Sequence, residues 1–137
     1  MAPPPRFQLE LPVRFSDTDM MGHVNHARFL SYLEDARIAY LAAVGGAGGD
    51  LMQQGCILAH LEIDYVRPLQ FTGDPIAVDV TLDRVGRSSL AMSYTISQGD
   101  ELAARATSVL VAYDYRTAAS RPLSDAERAS LVPLITA

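Results

Sequence analysis

The stretch "SDTDMMGHVNHARFLSYLEDAR", residues 16–37, changes character half-way. Its first half is polar and turn-prone, with Asp17, Asp19, Gly22, His23 and Asn25. From Phe29 onward, Phe29, Leu33, Ala36, Tyr40 and Val44 recur at the spacing of a helix that buries one face. A long helix is therefore predicted over residues 25–44, with Asn25 as its N-cap. The run "GGAGGD", residues 45–50, is expected to end it and to form a flexible link. Glu34 and Arg37 are three apart and are expected to pair on the helix flank.

Around this helix the chain alternates with a period of two. "QLELPVRF", residues 8–15, places Leu9, Leu11, Val13 and Phe15 on one face. Pro12 lacks an N–H for a ladder, which predicts an edge strand. "ILAHLEIDYV", residues 57–66, puts Ile57, Ala59, Leu61, Ile63 and Tyr65 on one side and His60, Glu62 and Asp64 on the other. "RPLQFTGDP", residues 67–75, is a turn rich in structure breakers. "IAVDVTLD" and "LAMSYTIS" then alternate, with Ile76, Val78, Val80 and Leu82, and Leu90, Met92, Tyr94 and Ile96, expected inward. "VGRSS" and "QGDE" read as tight turns, and "LAARATSVLVAYDY" as a long last strand. Ser124 and Glu127 form a capping box that predicts a short C-terminal helix.

The order is strand, long helix, then four strands joined by short turns, which favours antiparallel neighbours. Residues 1–137 are the size of a single domain, α+β in class, with a sheet of about five strands wrapped around one helix. One helix cannot cover such a sheet and its edges. Self-association as a homodimer is expected from architecture alone, with a homotetramer left open.

Composition narrows the function. Hydrophobic residues make up 49%, which argues against disorder. The net charge is −5 and there is no basic tract, so nucleic-acid binding is not suggested. All 11 basic residues are arginine, which excludes Schiff-base lysine chemistry and a Walker A lysine. Cys56 is the only cysteine, so neither an internal disulfide nor a cysteine metal site is possible; it reads as a small apolar residue in or near a strand. The sequence has no apolar run of the ~18 residues that a membrane helix needs and no signal-peptide core. A cytoplasmic protein without a membrane partner is expected.

Four readings of the polar half of the opening stretch stand side by side. Asp17, Asp19 and Asn25 could simply cap the helix and shape its loop. His23 and His26 could join the aspartates at a metal, but no third soft ligand is evident, and His60 lies on a distant strand; no metal or cofactor is expected. A serine triad lacks its G-x-S-x-G elbow. Finally, a carboxylate beside a helix N-terminus can attack a carbonyl, or activate water to do so, while free N–H groups hold the oxyanion. Gly22 would let a ligand approach the backbone closely.

"VRFSDTDMMGHVNHARFLSYLEDAR" resembles the opening of hotdog-fold acyl-CoA thioesterases of the 4-hydroxybenzoyl-CoA thioesterase type. The residues that carry the resemblance are Asp17, Asp19, Gly22, Val24, Glu34 and Arg37. "LEIDYVRPLQFTGD" and "VGRSSLAMSY" are similar to later strands, and the similarity spans residues 13–113. It implies hydrolysis of an acyl-CoA, aroyl-CoA or acyl-carrier-protein thioester. Asp19 would be nucleophile or general base, and the His26 N–H would polarise the carbonyl. Asp17 would structure the loop. Gly22, His23 and Asn25 would contact substrate, and Arg87 and Ser88 would hold the nucleotide or pantetheine arm, often across a dimer. The family often reads Asn-Asn-x-x-Tyr where this chain has Asn25, His26 and Phe29. A helical carboxylate, here Glu34, is the active group in some hotdog enzymes. The alternatives are a hotdog module that binds or senses thioesters without cleaving them, and a hotdog hydratase or dehydratase.

Overall fold

The computed structural model describes residues 6–43, 51 and 53–135. Five main strands form one antiparallel sheet: β1 (Phe7–Leu11), β2 (Cys56–Tyr65), β3 (Ile76–Val85), β4 (Ser89–Gln98) and β5 (Glu101–Asp114). Their spatial order is β1-β3-β4-β5-β2, and a two-residue β6 (Ala119–Ser120) adds to the end of β5. The helix α1 (His26–Ala43) packs over β1 and β3, and a short α2 (Asp125–Leu131) closes the chain. Val44 and the glycine run of residues 45–50 lie outside the described residues.

The core follows the period-two pattern. Ile76, Val78, Val80 and Leu82 of β3 and Leu90, Met92, Tyr94 and Ile96 of β4 are buried beneath α1. The helix contributes Phe29, Leu33, Ala36 and Tyr40 from one face. Side chains of this kind contribute about 1.5–3 kcal/mol each on full burial, so this seam dominates the stability of the fold. Buried Ser108 of β5 hydrogen-bonds with the Tyr94 hydroxyl at 2.5 Å. The sheet ends at β1 on one side, as Pro12 implies, and at β2 on the other.

Two expectations need correction. Phe15 does not continue the buried face of β1: the strand stops at Leu11, and Phe15 enters a 3-10 turn (Phe15–Asp17) with its ring exposed. Beyond the strand, Val13 is the last residue of that face to enter the core. In β2 the pairing with β5 slips between Leu58 and His60, leaving a bulge at Ala59. An extra residue reverses the parity of side chains. Before the bulge Cys56 and Leu58 share the face of buried Ala112 and Leu110, so Ile57 points away from the core; after it Leu61, Ile63 and Tyr65 face inward as expected.

The C-terminal helix begins where its capping box places it. The Ser124 hydroxyl accepts the Glu127 N–H at 3.1 Å, and the Glu127 carboxylate accepts the Ser124 N–H at 2.7 Å. Buried Glu127 also takes two hydrogen bonds from the Arg121 guanidinium, at 2.8 and 3.0 Å. Arg128 donates to the Gly86 carbonyl at 2.6 Å, so α2 ties down the β3–β4 turn. Burial pushes the Glu127 carboxyl up, but the bonds from Arg121 and Ser124 outweigh it and hold the group below its ordinary value. A carboxylate depressed in the folded state stabilises the fold above its unfolded pKa, and that stability is lost as pH falls through the folded value. Glu127→Gln is expected to cost about 3 kcal/mol at pH 7. Denaturant titrations of both proteins from pH 7 down to pH 3 should show the gap closing only below the ordinary glutamate range; a constant gap would contradict the role given to the charge.

Candidate active site

Between β1 and α1 the chain forms a compact loop built on one buried aspartate. Asp17 is 8% exposed, and its Oδ2 accepts the Tyr32 hydroxyl at 2.7 Å and the Arg14 N–H at 3.0 Å. Its backbone carbonyl accepts the Asn25 N–H at 2.8 Å, which joins the start of the loop to the start of the helix. Burial and the Asp17 charge raise the pKa of the Tyr32 phenol, so it stays protonated as a donor. The loop-structuring role implied for Asp17 matches this geometry.

Residues 18–24 turn back on themselves, with a bridge between Thr18 and Val24. The Asp19 N–H donates to the His23 carbonyl at 3.0 Å, and the Gly22 N–H to the Asp19 carbonyl at 3.1 Å. Gly22 takes φ +83°, and a Cβ there would meet nothing within 4 Å. Glycine is needed here for its left-handed backbone rather than to relieve crowding. The Met21 N–H donates to Asp19 Oδ1 at 2.9 Å, which fixes the carboxylate and turns one oxygen inward to the loop. The other oxygen has no hydrogen-bond partner among the described residues.

Asn25 caps α1 as its type predicts. Its Oδ1 accepts the Ala27 N–H and its carbonyl accepts the Arg28 N–H, both at 2.9 Å. The His26 N–H, at the first helical position, has no acceptor among the described residues. It is a free donor at the positive end of an 18-residue helix.

Asp19 and His26 line one open cavity of about 390 Å³. Met21, His23, Val24 and Phe29 line it from the loop and helix; Tyr65, Val66, Arg67 and Pro68 come from the end of β2 and the turn beyond. The Val24 N–H donates to the Leu69 carbonyl at 2.9 Å, which locks the two walls together. The Tyr65 ring lies 5.0 Å from Phe29, edge to face, and its hydroxyl donates to the His26 carbonyl at 3.0 Å. Arg67 stands at the rim, 3.5 Å from Glu101.

Of the other candidates, only His23 reaches the cavity. His23 lines the cavity with its ring exposed, whereas the Asn25 side chain is spent on its own helix. Glu34 is exposed and 3.8 Å from buried Arg37, the expected flank pair, and does not line the cavity. His60 sits on the outer sheet face, 3.1 Å from Glu62. Burial pushes the Cys56 thiol up, against the pull of Arg37 and Arg121, so it stays a protonated thiol. Among the described residues no three His, Cys, Asp or Glu side chains are grouped to hold a metal. Arg87 and Ser88 form the β3–β4 turn, beside the Cys56 end of β2, since Ser89 pairs with Val111 and Cys56 with Ala112. Tyr65 is at the opposite end of that strand, about 30 Å away at the usual rise. A single chain therefore does not bring Arg87 to Asp19.

Sequence reasoning does not single out Tyr65, Arg67 or Pro68 as site residues. They reach the cavity from about 40 positions downstream, through strand pairing. The only signal is that the inward face of β2 ends in an aromatic just before a run of breakers.

Residues 13–131 match the thioesterase-like superfamily. A 1,4-dihydroxy-2-naphthoyl-CoA hydrolase from Synechococcus elongatus is 28% identical over 123 residues, which is 87% of this chain and 90% of that protein. A Thermus thermophilus thioesterase, solved with coenzyme A and zinc, is 38% identical with a TM-score of 0.79 and covers 90% of this chain and 95% of its own. A 1,4-dihydroxy-2-naphthoyl-CoA thioesterase from Synechocystis shares the fold, with a TM-score of 0.80 at 24% identity over 93% of this chain and 96% of its own. The chain belongs to the thioesterase-like superfamily: it is a thioester hydrolase of the hotdog fold.

Proposed function

We propose that the substrate is an acyl or aroyl thioester of coenzyme A, cleaved to the free acid and the thiol between Asp19 and the N-terminus of α1. The observation that carries this reading is that a free helix N–H and a backbone-fixed carboxylate line the same cavity. The carbonyl oxygen accepts from the His26 N–H, which strengthens as negative charge builds on that oxygen. The unpaired oxygen of Asp19 then acts in one of two ways. It bonds to the carbonyl carbon, the thiolate leaves, and water cleaves the resulting mixed anhydride; or it takes a proton from a water that attacks the same carbon, and the tetrahedral intermediate expels the thiolate. A thiolate leaves without strong acid help, so His23 lines the site without a required proton.

The site needs a second copy of the chain. Asp19, His23 and His26 are all exposed in one protomer, while oxyanion stabilisation is strongest where water is excluded. β2 is an open sheet edge with Ile57 and Leu58 exposed beside it. Two β2 strands paired antiparallel about a two-fold axis would set the Cys56 end of one beside the Tyr65 end of the other. Arg87 and Ser88 of the second copy would then approach the mouth of the cavity, where a guanidinium suits a phosphate. A homodimer is the smallest assembly with a complete site, and a homotetramer would contain it. Action in the cytoplasm belongs to the same reading.

Asp19→Asn keeps an oxygen for the Met21 N–H but removes the charge. It is expected to lower kcat on acyl-CoA or benzoyl-CoA about 1,000-fold in a thiol-release assay; undiminished turnover would remove Asp19 from the reaction. Tight thioester binding with no turnover by the unaltered protein would favour a sensor. Single turnover in heavy-oxygen water bears on the two routes: label in Asp19 marks the nucleophile, and label only in the product acid favours the base. Arg87→Ala should raise KM for a coenzyme A thioester about tenfold and leave an N-acetylcysteamine thioester, which lacks the nucleotide, unaffected. Equal effects on both would place Arg87 elsewhere, and a sedimentation mass of one chain in the active enzyme would contradict the shared site.

A further inference from the structure

We infer that Tyr65 is a positioning residue for the reaction, holding the His26 N–H at the angle an oxyanion requires. This rests on the reading that the His26 N–H is the oxyanion donor.

The direction of that N–H is set by two successive peptide planes. The first joins Asn25 to His26; its carbonyl is held by the Arg28 N–H at 2.9 Å, and its N–H is the free donor. The second joins His26 to Ala27. Its N–H is held by Asn25 Oδ1 at 2.9 Å, and its carbonyl by the Tyr65 hydroxyl at 3.0 Å. With both planes pinned, the backbone rotation at His26 that would swing the donor is blocked. Two of these three bonds lie within the helix start itself. Tyr65 is the one that arrives from the sheet, so it refers the donor to the rigid scaffold rather than to a terminal turn, where helices fray.

The Tyr65 ring reinforces this. It packs edge to face against Phe29 at 5.0 Å and against the His26 ring at 6.2 Å. Phe29 is buried, so the tyrosine is braced from the core side. Burial also raises the phenol above its ordinary pKa, which keeps it a donor across the working range of the enzyme. The ring is a wall of the cavity and the hydroxyl is directed at backbone. These two roles separate in experiment: the hydroxyl acts on the carbonyl common to every thioester, and the ring on the acyl group that differs between them.

Tyr65→Phe removes the hydroxyl and keeps the ring. With two coenzyme A thioesters of different acyl groups, its kcat is expected to fall about tenfold, by the same factor for both, because a displaced donor acts in the transition state. KM and the thermal midpoint should stay at their original values, and Asp19→Asn, run in parallel, should lower kcat about 1,000-fold. If Asp19→Asn shows that loss while Tyr65→Phe leaves kcat unchanged, the inference fails and the proposed function stands. A loss confined to KM, or one that differs between acyl groups, would make Tyr65 only a wall and overturn the inference. No hydrolysis of any thioester by the unaltered protein would overturn both. Tyr65→Leu, which removes the ring as well, should add a KM effect that depends on the acyl group; no such addition would contradict the division of roles.

Discussion

The Asp17 carboxylate accepts the Tyr32 hydroxyl and the Arg14 N–H, while its backbone carbonyl accepts the Asn25 N–H. Through these three bonds one buried residue fastens the exit of β1, the flank of α1 and the helix cap to a common point. An unpaired charge in that position would be costly, so the loop is stable only in the arrangement that satisfies it. Once it is satisfied, residues 18–24 have little freedom left. Gly22 supplies the left-handed turn, and the short bridge from Thr18 to Val24 closes the loop. Among the groups without a partner among the described residues are the second Asp19 oxygen and the His26 N–H, both on residues that line the cavity.

This division explains how capping chemistry and catalysis share one stretch of chain. A helix start offers several free N–H groups, and an N-cap normally satisfies one or two. Asn25 does that for Ala27 and, through its carbonyl, for Arg28, and leaves His26. Asp19 is divided the same way, with one oxygen on the Met21 N–H and one without a partner among the described residues. In the proposed function, each group would be held by the bonds around it and would act through the position left open. Such preorganisation lowers a barrier because little reorganises when charge develops.

Much of this is legible in the sequence because it is local. Helical spacing from Phe29 to Tyr40 marks α1, Asn25 marks its start, and Ser124 with Glu127 marks α2. The alternation in β3 and β4 identifies inward faces correctly at all eight positions named for them. The bulge at Ala59 is not legible, because an extra residue leaves the pattern of residue types unchanged and shifts only their pairing with β5. Phe15 misleads for a related reason: alternation continues in the sequence after the strand has ended. Within the site, Asp19, Gly22 and the His26 N–H follow from one short segment. Tyr65 and Arg67 depend on how a strand far along the chain is placed, and the separation of Arg87 from Asp19 depends on the length of the sheet.

In the proposed function, a thioester carbonyl binds between the His26 N–H and the unpaired oxygen of Asp19. A crystal structure of the protein with a thioether analogue of an acyl-CoA, which keeps the carbonyl but cannot be hydrolysed, tests it directly. The carbonyl oxygen should lie about 3 Å from the His26 nitrogen, with the unpaired Asp19 oxygen facing the carbonyl carbon directly or through one water. A carbonyl bound elsewhere, with the His26 N–H still unpaired, would contradict the account.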